Sequence, residues 1–320
     1  MDWPNHERPW REWRAASRGT RMHHGWILAG KRGLGKRDFA FAAGRELITE
    51  PGATDPSEHP DLIHITYSAK DDKEERKQAD GKPFELSRMI RERDIGRMQR
   101  RLQTRPTLGS RRAVIIEPAD DMNTHAANKL LKSLEEPPPG TFFLLVTHSP
   151  ARLLPTIRSR CRVLRFPPLG DAQLSAMLDA AGASTDPATR VAALKAAEGS
   201  FGAALRFAEQ DLGPLAAIME SLIDEGDPAM TGRGELARLI GPRADRERLQ
   251  AASDLAQALV AARARETGSN AQRGALVETH ARLVRLSGEA PVHNYDTGLL
   301  ALEIGTLLVG ARAASEPANG

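Results

Sequence analysis

The segment WILAGKRGLGKRDFAFAAGREL, residues 26–47 of 320, limits the possible folds more than any other stretch of the chain. Four apolar residues run into a glycine-rich loop. The loop runs into a segment whose Phe39, Ala40, Ala43 and Leu47 recur at helical spacing. Strand, glycine loop and helix form the opening unit of a nucleotide-binding α/β domain. Gly30, four residues, Gly35 and Lys36 match phosphate-loop spacing, and Gly33 lies between them. Such glycines let backbone N–H groups turn inward on a phosphate, while the lysine supplies a point charge. The pattern next requires Ser or Thr, whose hydroxyl ligates magnesium, and this chain has Arg37.

The stretches that follow extend the α/β reading. Residues 51–60 are a turn-rich loop, DLIHITY (61–67) alternates like a strand, and 68–83 is a charged, solvated stretch. Residues 87–102 place Met89, Ile90, Ile95, Met98 and Leu102 near one helical face, which predicts a helix. AVII (113–116) and FFLLVT (142–147) read as buried strands. Between them Asn123 caps a helix carrying Ala126, Ala127, Leu130, Leu131 and Leu134, which the three prolines at 137–139 stop. Ser149-Pro150 opens a short helix to Ser159, and VLRF (163–166) is a fifth strand. Alternating strands and helices give a parallel five-stranded sheet covered on both faces. After Pro168 the chain turns Ala-rich and strandless. Expected domains are therefore 1–168 (α/β), 169–213 (small, helical) and 214–320 (helical), with a disordered tail from 314.

Composition removes several function classes. No run of eighteen apolar residues spans a membrane, and MDWPNHERPWREW lacks the apolar core of a signal peptide, so a cytoplasmic location is expected. The single cysteine, Cys161, makes neither an internal disulfide nor a cysteine zinc site, and the nine histidines show no metal-ligand spacing. No metal is expected. The net charge is only +3, so any nucleic-acid contact must come from local clustering of arginines. Nine arginines from Arg88 to Arg112 stand against two acidic residues, Glu92 and Asp94. A helix here could track a phosphate backbone through Arg97, Arg100 and Arg101, or it could be a solvated face. Trp3, Trp10 and Trp13 form a helical stripe suited to packing on the α/β domain.

ATP hydrolysis requires an acidic strand end that orients magnesium and a base that polarises water. Here AVII is followed by Glu117 and Pro118. Glu117 either replaces the aspartate with one methylene more or is a surface charge. Pro118 offers no base.

The stretch 113–169, with NKLLKSLEEPP (128–138), the strand ending in Thr147 and the triplet Ser159-Arg160-Cys161, resembles the AAA+ clamp-loader family of bacterial DNA polymerase III. HHGWILAGKRGLGK near the start extends the resemblance across the first domain. It implies an AAA+ core, a helical lid and an all-α collar. It also implies that an active member has Ser or Thr at Arg37, Asp-Glu at Glu117-Pro118 and a sensor arginine at Gly202. Thr147 alone keeps its polar sensor role. Three departures in one direction match the inert delta-prime branch. The resemblance then implies no ATPase activity, weak or absent nucleotide binding, and no zinc, since the four-cysteine module of many relatives is missing. It gives Arg160 the role of an arginine finger in a neighbour's ATP site, a role suited to a permanently charged, forked guanidinium. Implied partners are gamma/tau and delta subunits, the sliding clamp and primer-template DNA. The alternatives are an active ATPase of the gamma/tau type and a stand-alone DNA-binding protein.

Overall fold

The computed structural model describes residues 2–19, 22–49, 59–183, 187–210, 212–241, 244, 246–293 and 296–312. The loop expected at 51–60, apart from its last two residues, and the tail from 314 lie outside the described residues. The chain divides into two compact units, Met1–Pro168 and Leu169–Gly320.

In the first unit the elements run α1 (Glu7–Ser17), β1 (Gly25–Ala29), α2 (Lys36–Ile48), β2 (Leu62–Ile65), α3 (Asp72–Ala79), α4 (Glu92–Leu102), β3 (Arg112–Ile116), α5 (Thr124–Glu135), β4 (Thr141–Thr147), α6 (Pro155–Arg158) and β5 (Arg162–Arg165). The strands form one sheet in the order β2-β3-β4-β1-β5, with every pair parallel. All five residues of β1 and of β3 are buried, which is why these strands read as continuous apolar runs rather than alternations.

Alternate strand residues supply two separate cores, because successive side chains point to opposite faces. Ile27, Val114, Ile116, Phe143 and Leu145 face α4 and α5, meeting Ile95, Met98, Ala126, Leu130 and Leu134. Trp26, Leu28, Ala113, Ile115, Leu144 and Val146 face α1 and α2, meeting Trp13, Phe39, Ala40, Ala43 and Leu47. Gly44 lets α2 approach the sheet closely: a Cβ there would stand 2.9 Å from the Leu62 side chain.

The structure departs from the sequence reading at several element ends. The helix expected over 87–102 begins only at Glu92, because Ile90 bridges to Met122. Its N–H donates to Asp121 O at 2.9 Å and its carbonyl accepts from Asn123 N at 3.0 Å, so neither joins a helical ladder. The stretch 68–83 contains α3, capped by Asp71, whose carboxylate accepts the Glu74 N–H at 2.9 Å. The helix expected from Pro150 to Ser159 is broken. A 3-10 turn over Pro150–Arg152 precedes α6, Pro155 starts the new helix, and Ser149 makes no side-chain cap. Trp10 and Trp13 lie on α1, but Trp3 precedes it in extended backbone.

The second unit consists of α7 (Asp171–Ala180), α8 (Pro187–Ala197), α9 (Phe201–Glu209), α10 (Gly213–Asp224), α11 (Thr231–Ile240), α12 (Arg246–Glu266), α13 (Asn270–His293) and α14 (Thr297–Gly310). One hydrophobic cluster joins α8 and α9, through Ala193 and Phe207, to Leu215, Met219, Leu255, Leu276 and Ile304 of the later helices. No helix among the described residues is long and apolar enough to cross a membrane.

Candidate functional site

The C-terminal end of a parallel sheet is where an α/β fold collects its ligand-binding groups, because the loops there lead into helix N-termini. In this chain that end gathers the glycine loop after β1, Glu117 after β3 and Thr147 at the end of β4. Gly33 and Gly35 both take positive φ, +78° and +71°, and Gly35 forms the N-terminal boundary of α2. The loop therefore has the backbone that its glycines predict.

Its functional groups are engaged within the chain. Lys36 is only 3% exposed, and its Nζ donates to Gly30 O at 2.7 Å and Lys31 O at 2.5 Å. Burial pulls its pKa from 10.5 down to about 8, opposed by the nearby Asp120 and Glu117 carboxylates. Arg37 Nε lies 3.5 Å from Glu117 Oε2, so the residue standing where a magnesium-binding hydroxyl is required pairs with the acidic strand end. His64 Nε2 approaches the same carboxylate oxygen at 3.6 Å. Thr147 sits in register with Ala29, fully buried, and among the described residues its hydroxyl has no hydrogen-bond partner.

Four further groups escaped the sequence reading. Asp120 is buried and accepts the backbone N–H groups of His148 at 3.2 Å and Ser149 at 3.1 Å. It thereby ties the turn after β3 to the end of β4. Burial, and next the Lys36 charge, lower the His148 pKa to about 4 against the pull of Asp120. Tyr67 donates its hydroxyl to Asp121 Oδ2 at 2.5 Å, and burial followed by that carboxylate raises its pKa. The acidic pair Asp120-Asp121, one residue beyond Pro118, was the available signal.

The fourth group is Trp3. A Cβ on Gly35 would stand 2.3 Å from two atoms of its indole ring, so the ring lies directly on the glycine that opens α2. Its Nε1 donates to Asp38 Oδ2 at 2.9 Å, in the first turn of α2. His6 stacks under it at 5.4 Å and bonds Leu34 O at 2.8 Å through Nε2. Asn5 donates to Pro167 O at 3.1 Å.

Arg160 lies elsewhere on the first unit, between α6 and β5. Its Nη2 pairs with Glu135 Oε1 at 2.8 Å, at the last residue of α5, and its Nη1 donates to Thr156 O at 3.0 Å. The side chain stays 37% exposed. Cys161 beside it is mostly buried, and burial pushes its thiol up to about 12, which suits a packing residue rather than a nucleophile.

The arginine-rich stretch divides into several environments. Arg91 and Arg93 donate to the carbonyls of residues 69 and 70, and Arg112 is buried on Asp61. Arg97 pairs with Glu75 of α3, and Arg101 donates to Pro60 O at 2.9 Å. Arg100 is exposed. Among the described residues no group of three or more His, Cys, Asp or Glu side chains gathers to hold a metal.

A five-stranded parallel sheet with a glycine loop of phosphate-loop spacing between β1 and α2 has the architecture of a phosphate-loop α/β protein, and here it is followed by a helical unit. The chain belongs to the family described as DNA polymerase III, delta subunit, whose model matches residues 5–170. It is 34% identical to DNA polymerase III subunit delta′ of Pseudomonas aeruginosa over 168 residues, covering 48% of this chain and 46% of that one. It is 35% identical to the delta′ subunit of Bacillus subtilis over 161 residues, covering 47% and 44%. DNA polymerase III subunit tau/gamma of Haemophilus influenzae is 28% identical over 197 residues, 60% of this chain and 28% of that one. The matched region thus spans about half the length of the delta′ relatives.

Proposed function

We propose that the chain is a non-hydrolysing clamp-loader subunit that supports loading of a sliding clamp onto primed DNA during replication. In this reading it joins gamma/tau and delta subunits in a hetero-oligomer and lends Arg160 to a neighbour's ATP site. It requires no zinc and binds nucleotide weakly or not at all. The observation that carries the reading is the Arg37–Glu117 pair, 3.5 Å apart. Hydrolysis needs a metal bridged between a loop hydroxyl and an acidic strand end. Here a fixed positive charge replaces the hydroxyl and pairs with the acid, and Pro118 follows where a water-polarising base is required.

Two measurements test it. The purified chain is expected to show no ATP hydrolysis above that of a Lys36→Ala control; magnesium-dependent turnover abolished by Lys36→Ala would return it to the gamma/tau type. In a loader reconstituted with gamma/tau and delta subunits, Arg160→Ala should assemble normally yet lose one site's share of clamp- and DNA-stimulated turnover. Removal of a trans arginine costs on the order of 10³–10⁵ in rate at the site it serves. Arg160→Lys should rescue poorly, because an ammonium cannot fork onto two oxygens. Wild-type loading by Arg160→Ala would leave the chain a brace only. Neutralising Arg97, Arg100 and Arg101 in the same complex should reduce the salt slope of DNA binding if they follow a phosphate backbone. An unchanged slope assigns them to a solvated face.

A further inference from the structure

The segment before α1 has a role that a helix-packing stripe does not explain. A phosphate loop binds its ligand through backbone N–H groups at the start of the following helix, and those groups need open space in front of them. Here the indole of Trp3 rests on Gly35, where even a single added Cβ would stand 2.3 Å from the ring. Its Nε1 is bonded to Asp38 in the first turn of α2, so ring and carboxylate are held together against the N-terminus of the helix. Asp38 also adds a negative charge in the first turn of α2, which disfavours an anion at that helix N-terminus. The segment is anchored just after Trp3, where Asn5 and His6 bond the carbonyls of Pro167 and Leu34. His6 packs edge-on against Phe39 and Phe166 at 5.6 and 5.1 Å, which fixes the ring stacked on Trp3.

We propose that residues 2–6 are a built-in plug that closes the phosphate loop, with Trp3 as the closing residue, so that phosphate-bearing ligands are excluded by the chain's own N-terminal segment and not by the arginine at position 37 alone. Loop backbone and lysine are both retained, so the site beneath the plug is closed rather than dismantled. A closed form lowers apparent affinity in proportion to the fraction of molecules that are open. The inference rests on reading the loop as a retired phosphate site.

The test uses the full chain and inorganic pyrophosphate without magnesium, since Arg37 stands at the metal position. Calorimetry on Trp3→Ala should show pyrophosphate binding at least about tenfold tighter than wild type. Trp3→Phe, which keeps a ring over Gly35, should stay near wild type, and Trp3→Ala combined with Lys36→Ala should lose the gain. No gain in Trp3→Ala, or a gain that survives Lys36→Ala, overturns the plug. Hydrogen exchange on the unmodified chain gives an independent reading: the amides of residues 33–37 should exchange slowly and quicken in Trp3→Ala, and fast exchange in wild type counts against closure. Wild-type ATP hydrolysis would instead remove the reading beneath it, an outcome visible before any variant is made.

Discussion

Lys36 sets a demanding electrostatic condition at the glycine loop. A lysine whose folded pKa is about 8 against 10.5 is held in its charged form at neutral pH by a structure that disfavours the charge. The difference corresponds to about 3 kcal/mol of destabilisation at pH 7. Methionine in its place would leave the Gly30 and Lys31 carbonyls without this donor, a loss of about 1 kcal/mol each. Lys36→Met should therefore raise unfolding free energy at pH 7 by about 1 kcal/mol. Between pH 8 and 10.5 the unfolded chain holds the proton that the folded chain has lost, so wild type recovers stability and the advantage of Met should vanish. Urea melts across that range check both the size and the sign. His148 acts at the other end of the scale. Its folded pKa of about 4 lies below the unfolded 6.5, so the unfolded chain takes up a proton first as pH falls. Stability should drop from pH 6.5 to 4, and His148→Gln should flatten that slope by about one proton. An unchanged slope would show that His148 is not held neutral.

At the level of elements, a buried ion pair closes the connection from α4 to β3. Asp61 is fully buried and accepts from Thr107 N at 2.8 Å, Leu108 N at 2.9 Å and Arg112 Nη2 at 3.1 Å. Burial pushes its carboxyl up, but the two amides and the guanidinium outweigh burial and hold it below the usual range. Arg112 also donates to Arg101 O, Thr104 O and Arg105 O, so one side chain fastens the end of α4 and the turn after it. Asp61→Asn should cost about 3–5 kcal/mol, because it leaves a buried charge without its counter-ion. Arg100→Ala, at an exposed position, should change stability by less than about 0.5 kcal/mol. Chemical denaturation of the two variants separates the cases. This contrast marks what the sequence could reveal. β1, β3 and β4 were legible because buried parallel strands are continuous apolar runs, β2 through its alternation, and the loop because positive φ needs glycine. The start of α4 was not, since Ile90 is held by Asp121 and Asn123, residues about thirty positions away. Nor was the fate of the arginines, because local charge density is the same whether a guanidinium faces solvent or binds a carbonyl distant in sequence. Trp3 was hidden for a related reason. Its spacing to Trp10 and Trp13 fits a helix, yet Pro4 and a 3-10 turn place it outside α1 and over Gly35.

Over the whole molecule, the division at Pro168/Leu169 separates an α/β unit from an all-helical one, and each has its own core. The boundary expected near residue 213 falls within one cluster, where Phe207 of α9 and Leu212 pack with Leu215, Met219 and Leu255. A cluster shared across that point makes α8 and α9 cooperate with α10 to α14, because no group can leave without opening a cavity beside the others. Calorimetry should accordingly resolve no more than two unfolding transitions. Phe207 provides the sharper test, being 4% exposed within the shared cluster. Phe207→Ala should remove about 3–5 kcal/mol from the helical unit. If the helices behave as one unit, the whole helical transition moves to lower temperature and amides of α14 lose exchange protection together with those of α9. If α7 to α9 instead melt alone, a third transition appears and α14 keeps its protection. The α/β unit, whose two cores contain no residue of this cluster, should keep its midpoint in either case, which makes its transition the internal reference for the measurement.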